Sequence, residues 1–143
     1  MNPTTNQIIM KNIILSIATI LLFSCSKEEN LTENVMLQST EWIVKEYKLE
    51  TESDSKKMTS EVILIFKESR ISLFLDVNTC GTSYELINPG EIEIENLTCT
   101  FICCDSEDGD ELSRFLLKMT NYQGNNSKLI LSGDDGEIIL KKN

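Results

Sequence analysis

From residue 61 onward apolar side chains recur at every second position, and that period constrains the fold more than any other feature of the chain. Residues 61–66 set Val62, Leu64 and Phe66 on one side and Ile63 and Ile65 on the other, an apolar run suited to a central strand. Ile71, Leu73, Leu75 and Val77 alternate with Ser72, Phe74 and Asp76, as in a half-buried strand. Asn88-Pro89-Gly90-Glu91 has proline and glycine where a type II turn needs them, between residues 84–87 and the alternating 91–95. Gly133-Asp134-Asp135-Gly136 joins 129–131 to 138–140 as a last hairpin. Residues 42–49 open the sheet, and 51–60 read as a polar loop. One segment departs from the period. Residues 108–120 put Leu112, Phe115, Leu116 and Met119 on one helical stripe, with Glu107, Asp108, Asp110 and Glu111 at its start and Arg114 and Lys118 further along. The expected fold is mainly β, of the α+β kind: an antiparallel sheet with one packed α-helix.

Composition then excludes whole classes of function. The 143 residues include no histidine, so a serine-histidine-aspartate triad, a cysteine-histidine nucleophile and a histidine-ligated zinc are all closed. With 13 basic against 23 acidic side chains the formal charge is −10, which disfavours a phosphate-backbone binder. No nucleic-acid partner is expected, and no enzyme, catalytic residue or cofactor.

The amino terminus gives an address. An apolar run over residues 13–23 follows Lys11 and ends at Leu22-Phe23-Ser24-Cys25, before the polar Ser26-Lys27-Glu28-Glu29-Asn30. A charged start, a short apolar stretch and a small residue at the cut form a secretory signal; roughly 20 apolar residues are needed to span a bilayer. The Leu-Phe-Ser-Cys ending resembles the lipobox of bacterial lipoproteins, which implies acylation of Cys25 and removal of residues 1–24. Met1 and Met10 both suit as the start. Several acyl chains suffice for stable anchoring without a transmembrane helix. From residue 25 on, 12 basic face 23 acidic side chains, a formal balance of −11, so the acidic surface is expected to repel anionic headgroups and leave anchoring to the lipid. Residues 25–35 are expected to be the lipidated cysteine and its solvated tether, and 36–143 the folded domain. The expected location is the cell envelope, at the outer membrane, on its periplasmic or surface face.

The order of features across 36–143 resembles a known family. Trp42 on an opening strand, Asn78 with Gly81 and Tyr84, Thr100 with Cys104, Glu111-Leu112 on a helix with Leu116, Tyr122, and the closing Leu129-Ile130-Leu131 hairpin are similar to the META domain, the HslJ-like family of small bacterial envelope proteins. The chain departs in having Asp76-Val77 where the family commonly has glycine-cysteine. The resemblance implies an antiparallel sheet curled toward a barrel with one helix, a broad association with envelope stress tolerance, and no catalytic residue.

Four further cysteines, Cys80, Cys99, Cys103 and Cys104, fall in a domain destined for an oxidising compartment. On a regular strand Cys99 and Cys103 would lie about 13 Å apart, beyond the ~7 Å limit for a bridge. Cys80 with Cys99 and a vicinal Cys103-Cys104 would then complete the set. A bulge or turn after Thr100 would instead let Cys80 reach Cys103 or Cys104. A thiolate metal or redox cluster is the alternative, although the C-x3-C-C grouping lacks the usual two-pair spacing; buried free thiols are a third reading.

Other groupings have plainer readings. The acids from Asp105 to Glu111 suggest a calcium loop, but the glycine falls one position early and no closing glutamate follows, so helix capping explains them better and no metal site is expected. Glu91, Glu93 and Glu95 share a strand face, ordinarily a solvated one. Trp42, Tyr47, Tyr84 and Tyr122 either line a ligand pocket or form core and rim. Two functions remain: a non-enzymatic, membrane-anchored envelope module with a possible envelope protein partner, and a small-ligand or thiolate-metal binder.

Overall fold

A computed structural model describes residues 30–143. The leader and Cys25 lie outside the described residues. Nine strands and one helix follow in the order β1 (Thr40–Leu49), β2 (Lys56–Phe66), β3 (Arg70–Phe74), β4 (Thr79–Leu86), β5 (Ile92–Ile94), β6 (Thr98–Cys99), α1 (Glu107–Leu116), β7 (Asn121–Gly124), β8 (Lys128–Gly133) and β9 (Gly136–Lys142). All pairings are antiparallel, in the spatial order β5-β4-β3-β2-β1-β9-β8-β7, with β6 beside β5 along the same edge of β4. The two ends of this path meet at a Glu91–Asn121 bridge, where the Ile92 amide donates to Thr120 and the Tyr122 amide to Gly90. The sheet is therefore a nearly closed barrel, and the described residues are mainly β with one helix, as expected.

Alternation decides what fills it. Val62, Leu64 and Phe66 on β2, Ile71 and Leu73 on β3, and Leu129, Leu131, Ile138 and Leu140 on β8 and β9 point inward and are buried. The four aromatics thought able to line a pocket are also interior: Trp42, Tyr47 and Tyr84 are at most 3% exposed and Tyr122 6%. Two of them have bonded polar atoms, as burial requires: Trp42 Nε1 donates to Thr40 Oγ1 at 2.7 Å and the Tyr84 hydroxyl to the Lys67 carbonyl at 2.9 Å. The barrel is packed with side chains.

Helix α1 closes one mouth. Leu112, Phe115, Leu116 and Met119 are all buried, although α1 ends at Leu116 and Met119 belongs to the turn beyond it. Ser106 is the N-cap, its hydroxyl accepting from the Gly109 amide at 3.3 Å, and three acids occupy the first turn, where the helix dipole favours them. The opposite mouth is covered by the chain before β1, whose Leu37 is 1% exposed. That segment is already seated at Thr32, which exchanges backbone bonds with Gly124 at the end of β7. Residues 32–35, expected in the tether, thus lie on the barrel, because β7 leaves the Gly124 amide and carbonyl for another chain segment to pair.

Three local features differ from the sequence expectations. Residues 56–60 are strand, not loop: Lys56 and Lys57 pair with β1, and Thr59 bonds to Asp108 of α1. Between the Val44–Val62 and Glu46–Lys57 pairs β1 supplies only Lys45 while β2 supplies residues 58–61, and this bulge turns Tyr47 inward after Trp42 and Val44. The strand expected through Val77 ends at Phe74, since the Leu75 amide turns back to the Asn78 carbonyl. The two turns read from glycine and proline form. Gly90 has φ 84°, the left-handed value a type II turn requires, and the Glu91 amide closes it on Asn88. Gly136, at φ 138°, passes so close to the Lys48 carbonyl that a Cβ would lie 2.0 Å from that oxygen.

Candidate functional site

The most elaborated surface lies at the mouth that α1 closes, where residues 100–106 connect β6 to the helix. Asn78 organises this loop. Its side-chain oxygen accepts from Thr100 Oγ1 at 2.9 Å and from the Ile102 amide at 2.8 Å, and its nitrogen donates to the Ile102 carbonyl at 2.7 Å and to Asp105 Oδ2 at 2.6 Å. Asp105 Oδ1 in turn accepts the amides of Val77 and Asn78. Burial opposes charge on Asp105, but these bonds from Asn78 and Val77 outweigh it and hold the carboxyl below its ordinary range. Asp76 is held low by the hydroxyls of Ser60 and Ser106.

Both disulfides belong to this region. Cys80 and Cys99 stand opposite each other on β4 and β6 and are bonded; Cys103 and Cys104 are bonded to one another. Of the alternatives left open by spacing, this is the set that keeps residues 98–99 in a strand. Cys104 has φ 140°, a region that L side chains rarely adopt. With its base clamped, the loop projects Phe101 fully into solvent and leaves Ile102 and Val77 exposed beside it. A cleft of about 340 Å³ lies beneath, lined by Leu75, Asn78, Thr100, Cys103 and Asp110 among others.

On the other side of α1 a groove of about 510 Å³ runs between the helix and the β1–β2 ribbon. The Tyr47 hydroxyl donates to Glu111 Oε2 at 2.5 Å, and Lys56 Nζ lies 3.5 Å from the same oxygen and 3.1 Å from Glu52. The Thr59 amide and hydroxyl both donate to Asp108 Oδ2, at 2.7 and 2.8 Å. Glu111 is held below the usual carboxylate range, first by the Tyr47 bond and then by Lys56, while burial and the Glu111 bond raise Tyr47 far above the usual phenol. Asp108 is also low, its bonds from Thr59 outweighing burial. Carboxylates held charged beside Lys56 make the groove an ionic surface.

The acids read as a possible calcium loop are dispersed among these partners: Asp105 to Asn78, Asp108 to Thr59, Glu111 to Tyr47. Among the described residues no group of three or more histidine, cysteine, aspartate or glutamate side chains is arranged to hold a metal ion, and no helix is long and apolar enough to cross a membrane. Glu91, Glu93 and Glu95 are exposed. Asn78 entered the sequence reading only through the family resemblance, and the Tyr47–Glu111 bond not at all. Polar residues flanking Cys80 and Cys99 were the available signal for the first; the second depends on the Lys45 bulge.

No family model matches the chain, and no curated protein does. Two solved structures are similar to it. One, an NMR structure of a protein from Burkholderia xenovorans, has a TM-score of 0.61 at 19% identity, over 75% of this chain and 83% of that one. The other, a crystal structure of a DUF4847 family protein from Bacteroides vulgatus, has a TM-score of 0.58 at 13% identity, over 76% and 95%. The likeness is one of fold alone.

Proposed function

We propose that the protein is a lipid-anchored envelope module that acts by contact, not by catalysis: Cys25 holds it on the membrane and the clamped loop bearing Phe101 and Ile102 meets an envelope partner. The observation that carries this reading is the filled barrel, whose aromatic and aliphatic side chains occupy the interior and leave the distinctive chemistry outside. An apolar tip on a rigid base suits binding, because little order is lost when the partner arrives. The absence of histidine supports a non-enzymatic role. Kinship with the META domain, and with it a part in stress tolerance, rests on the order of residues given above. A small-ligand or thiolate-metal role has less support, since the interior is occupied and the four cysteines are paired.

Native mass spectrometry of the protein extracted from membranes, with and without reductant, tests this directly. The expected species is an acylated, oxidised chain beginning at Cys25 with no retained small molecule. A ligand or metal mass retained under mild conditions would replace this reading by the binding one, and an unacylated chain would remove the anchor.

A further inference from the structure

Strand β2 is apolar on both faces, but only one face is inside the barrel. Outward-facing Ile63 pairs with Ile43 on β1, Ile43 with Lys141 on β9, and Lys141 with Lys128 on β8. Ile43 and Ile63 are only partly buried, since no second layer covers them. Lys128 and Lys141 also border a depression of about 730 Å³ with Lys45, Lys57, Met58 and Ile139. Four of the chain's 13 basic residues thus converge on one face of a molecule whose formal charge is −10. Glu46 is the acid among the lining residues, and it accepts from Ser55.

We infer that this face rests on an anionic lipid surface, the lysines over phosphates and Ile43 and Ile63 beside them at headgroup depth. Apolar side chains beside a basic cluster are what interfacial binding requires, the buried area and the attraction acting together. Position favours a bilayer over a protein: the chain leading back to Cys25 departs from Thr32, bonded to Gly124, and the turn after Gly124 leads straight into Lys128. Six residues lie between Cys25 and Thr32, at most about 25 Å of chain. The inference rests on the anchor proposed above and corrects one consequence of the average charge: the molecule repels anionic headgroups from most directions and is attracted through this one. Docked so, the barrel has a fixed orientation on the membrane.

The full-length acylated protein, reconstituted in vesicles, gives the test through the rate at which its lysines are acetylated. With about 30 mol% anionic phospholipid at low salt, Lys45, Lys57 and Lys141 should react on the order of tenfold more slowly than in zwitterionic vesicles. Lys118, beside Asp135 at the mouth closed by α1, should not change. Salt at about 0.5 M should remove the protection, and Lys57→Glu with Lys141→Glu should remove it from Lys45. Equal rates in both vesicles overturn the inference. So does protection that appears in detergent alone and grows with protein concentration, which would mark a second copy as the occupant. If the chain proves unacylated, the anchor fails separately, and flotation with the same two vesicles decides: salt-sensitive binding to anionic vesicles supports the face, and none overturns it.

Discussion

Asn78 and Asp105 clasp each other across 27 positions of sequence, the asparagine side chain donating to one carboxylate oxygen at 2.6 Å and its own backbone amide to the other at 3.0 Å. This clasp ties the β3–β4 turn to the cysteine loop and sets the height at which Phe101 stands. Asp105→Ala should cost about 1–3 kcal/mol, because it strips charge-assisted bonds from the Asn78 side chain, which is 8% exposed. Amide hydrogen exchange should rise at residues 100–104 and stay unchanged in β8 and β9. An unaltered loop would mean that the disulfides alone hold it.

Acid should weaken the same region. Asp76, Asp105, Asp108 and Glu111 all have carboxyls held below their ordinary range in the folded protein. The unfolded chain therefore takes up protons first, so their contribution is complete at neutral pH. It is lost as pH falls below about 4 and through the lower folded values. Thermal midpoints measured from pH 7 to 2 should fall in that window, and Asp108→Asn should flatten the fall. A midpoint indifferent to acid would contradict the bonding described.

Leu116→Ala should destabilise the fold by ~2–5 kcal/mol, as a large-to-small change at a fully buried site does. Denaturant unfolding measures it. A change within error would mean that α1 does not close the barrel.

Much of this architecture was legible because two periods, one of two residues and one helical, are written in the apolar side chains. Leu112, Phe115 and Leu116 identify the helix's buried stripe, and Val62, Leu64 and Phe66 the inner face of a central strand. The apolar code could not say that Ile63 and Ile65 face outward without a covering layer, since an apolar run looks the same whether one or both faces are covered. Nor did it disclose barrel closure, which rests on backbone bonds of Gly90, Thr120 and Tyr122 that depend little on side-chain type. The Lys45 bulge was hidden because Lys45 and Glu46 are both charged, so no apolar side chain marks where the alternation slips. That one irregularity aims Tyr47 at Glu111, so the groove was invisible in the sequence, whereas strand spacing kept Cys80 with Cys99 among the pairings for the loop.

The two disulfides should differ in weight. Cys80–Cys99 closes 19 positions and should contribute about 3 kcal/mol by the loss of chain entropy in the unfolded state. The bridge between neighbours Cys103 and Cys104 closes almost no loop and should contribute little. Cys80→Ser with Cys99→Ser should lower the thermal midpoint clearly, and Cys103→Ser with Cys104→Ser should leave it nearly unchanged. The reverse order would assign the stabilising role to the loop's own ring.

Membrane fractionation of the Cys25→Ser protein, washed in salt high enough to screen the lysine face, bears most directly on the whole account. A chain held by its acyl groups should move to the soluble fraction once the acceptor sulfur is gone, while the unaltered protein stays in the pellet. A Cys25→Ser protein that still sediments with membranes would contradict the lipid anchor on which the proposed function rests.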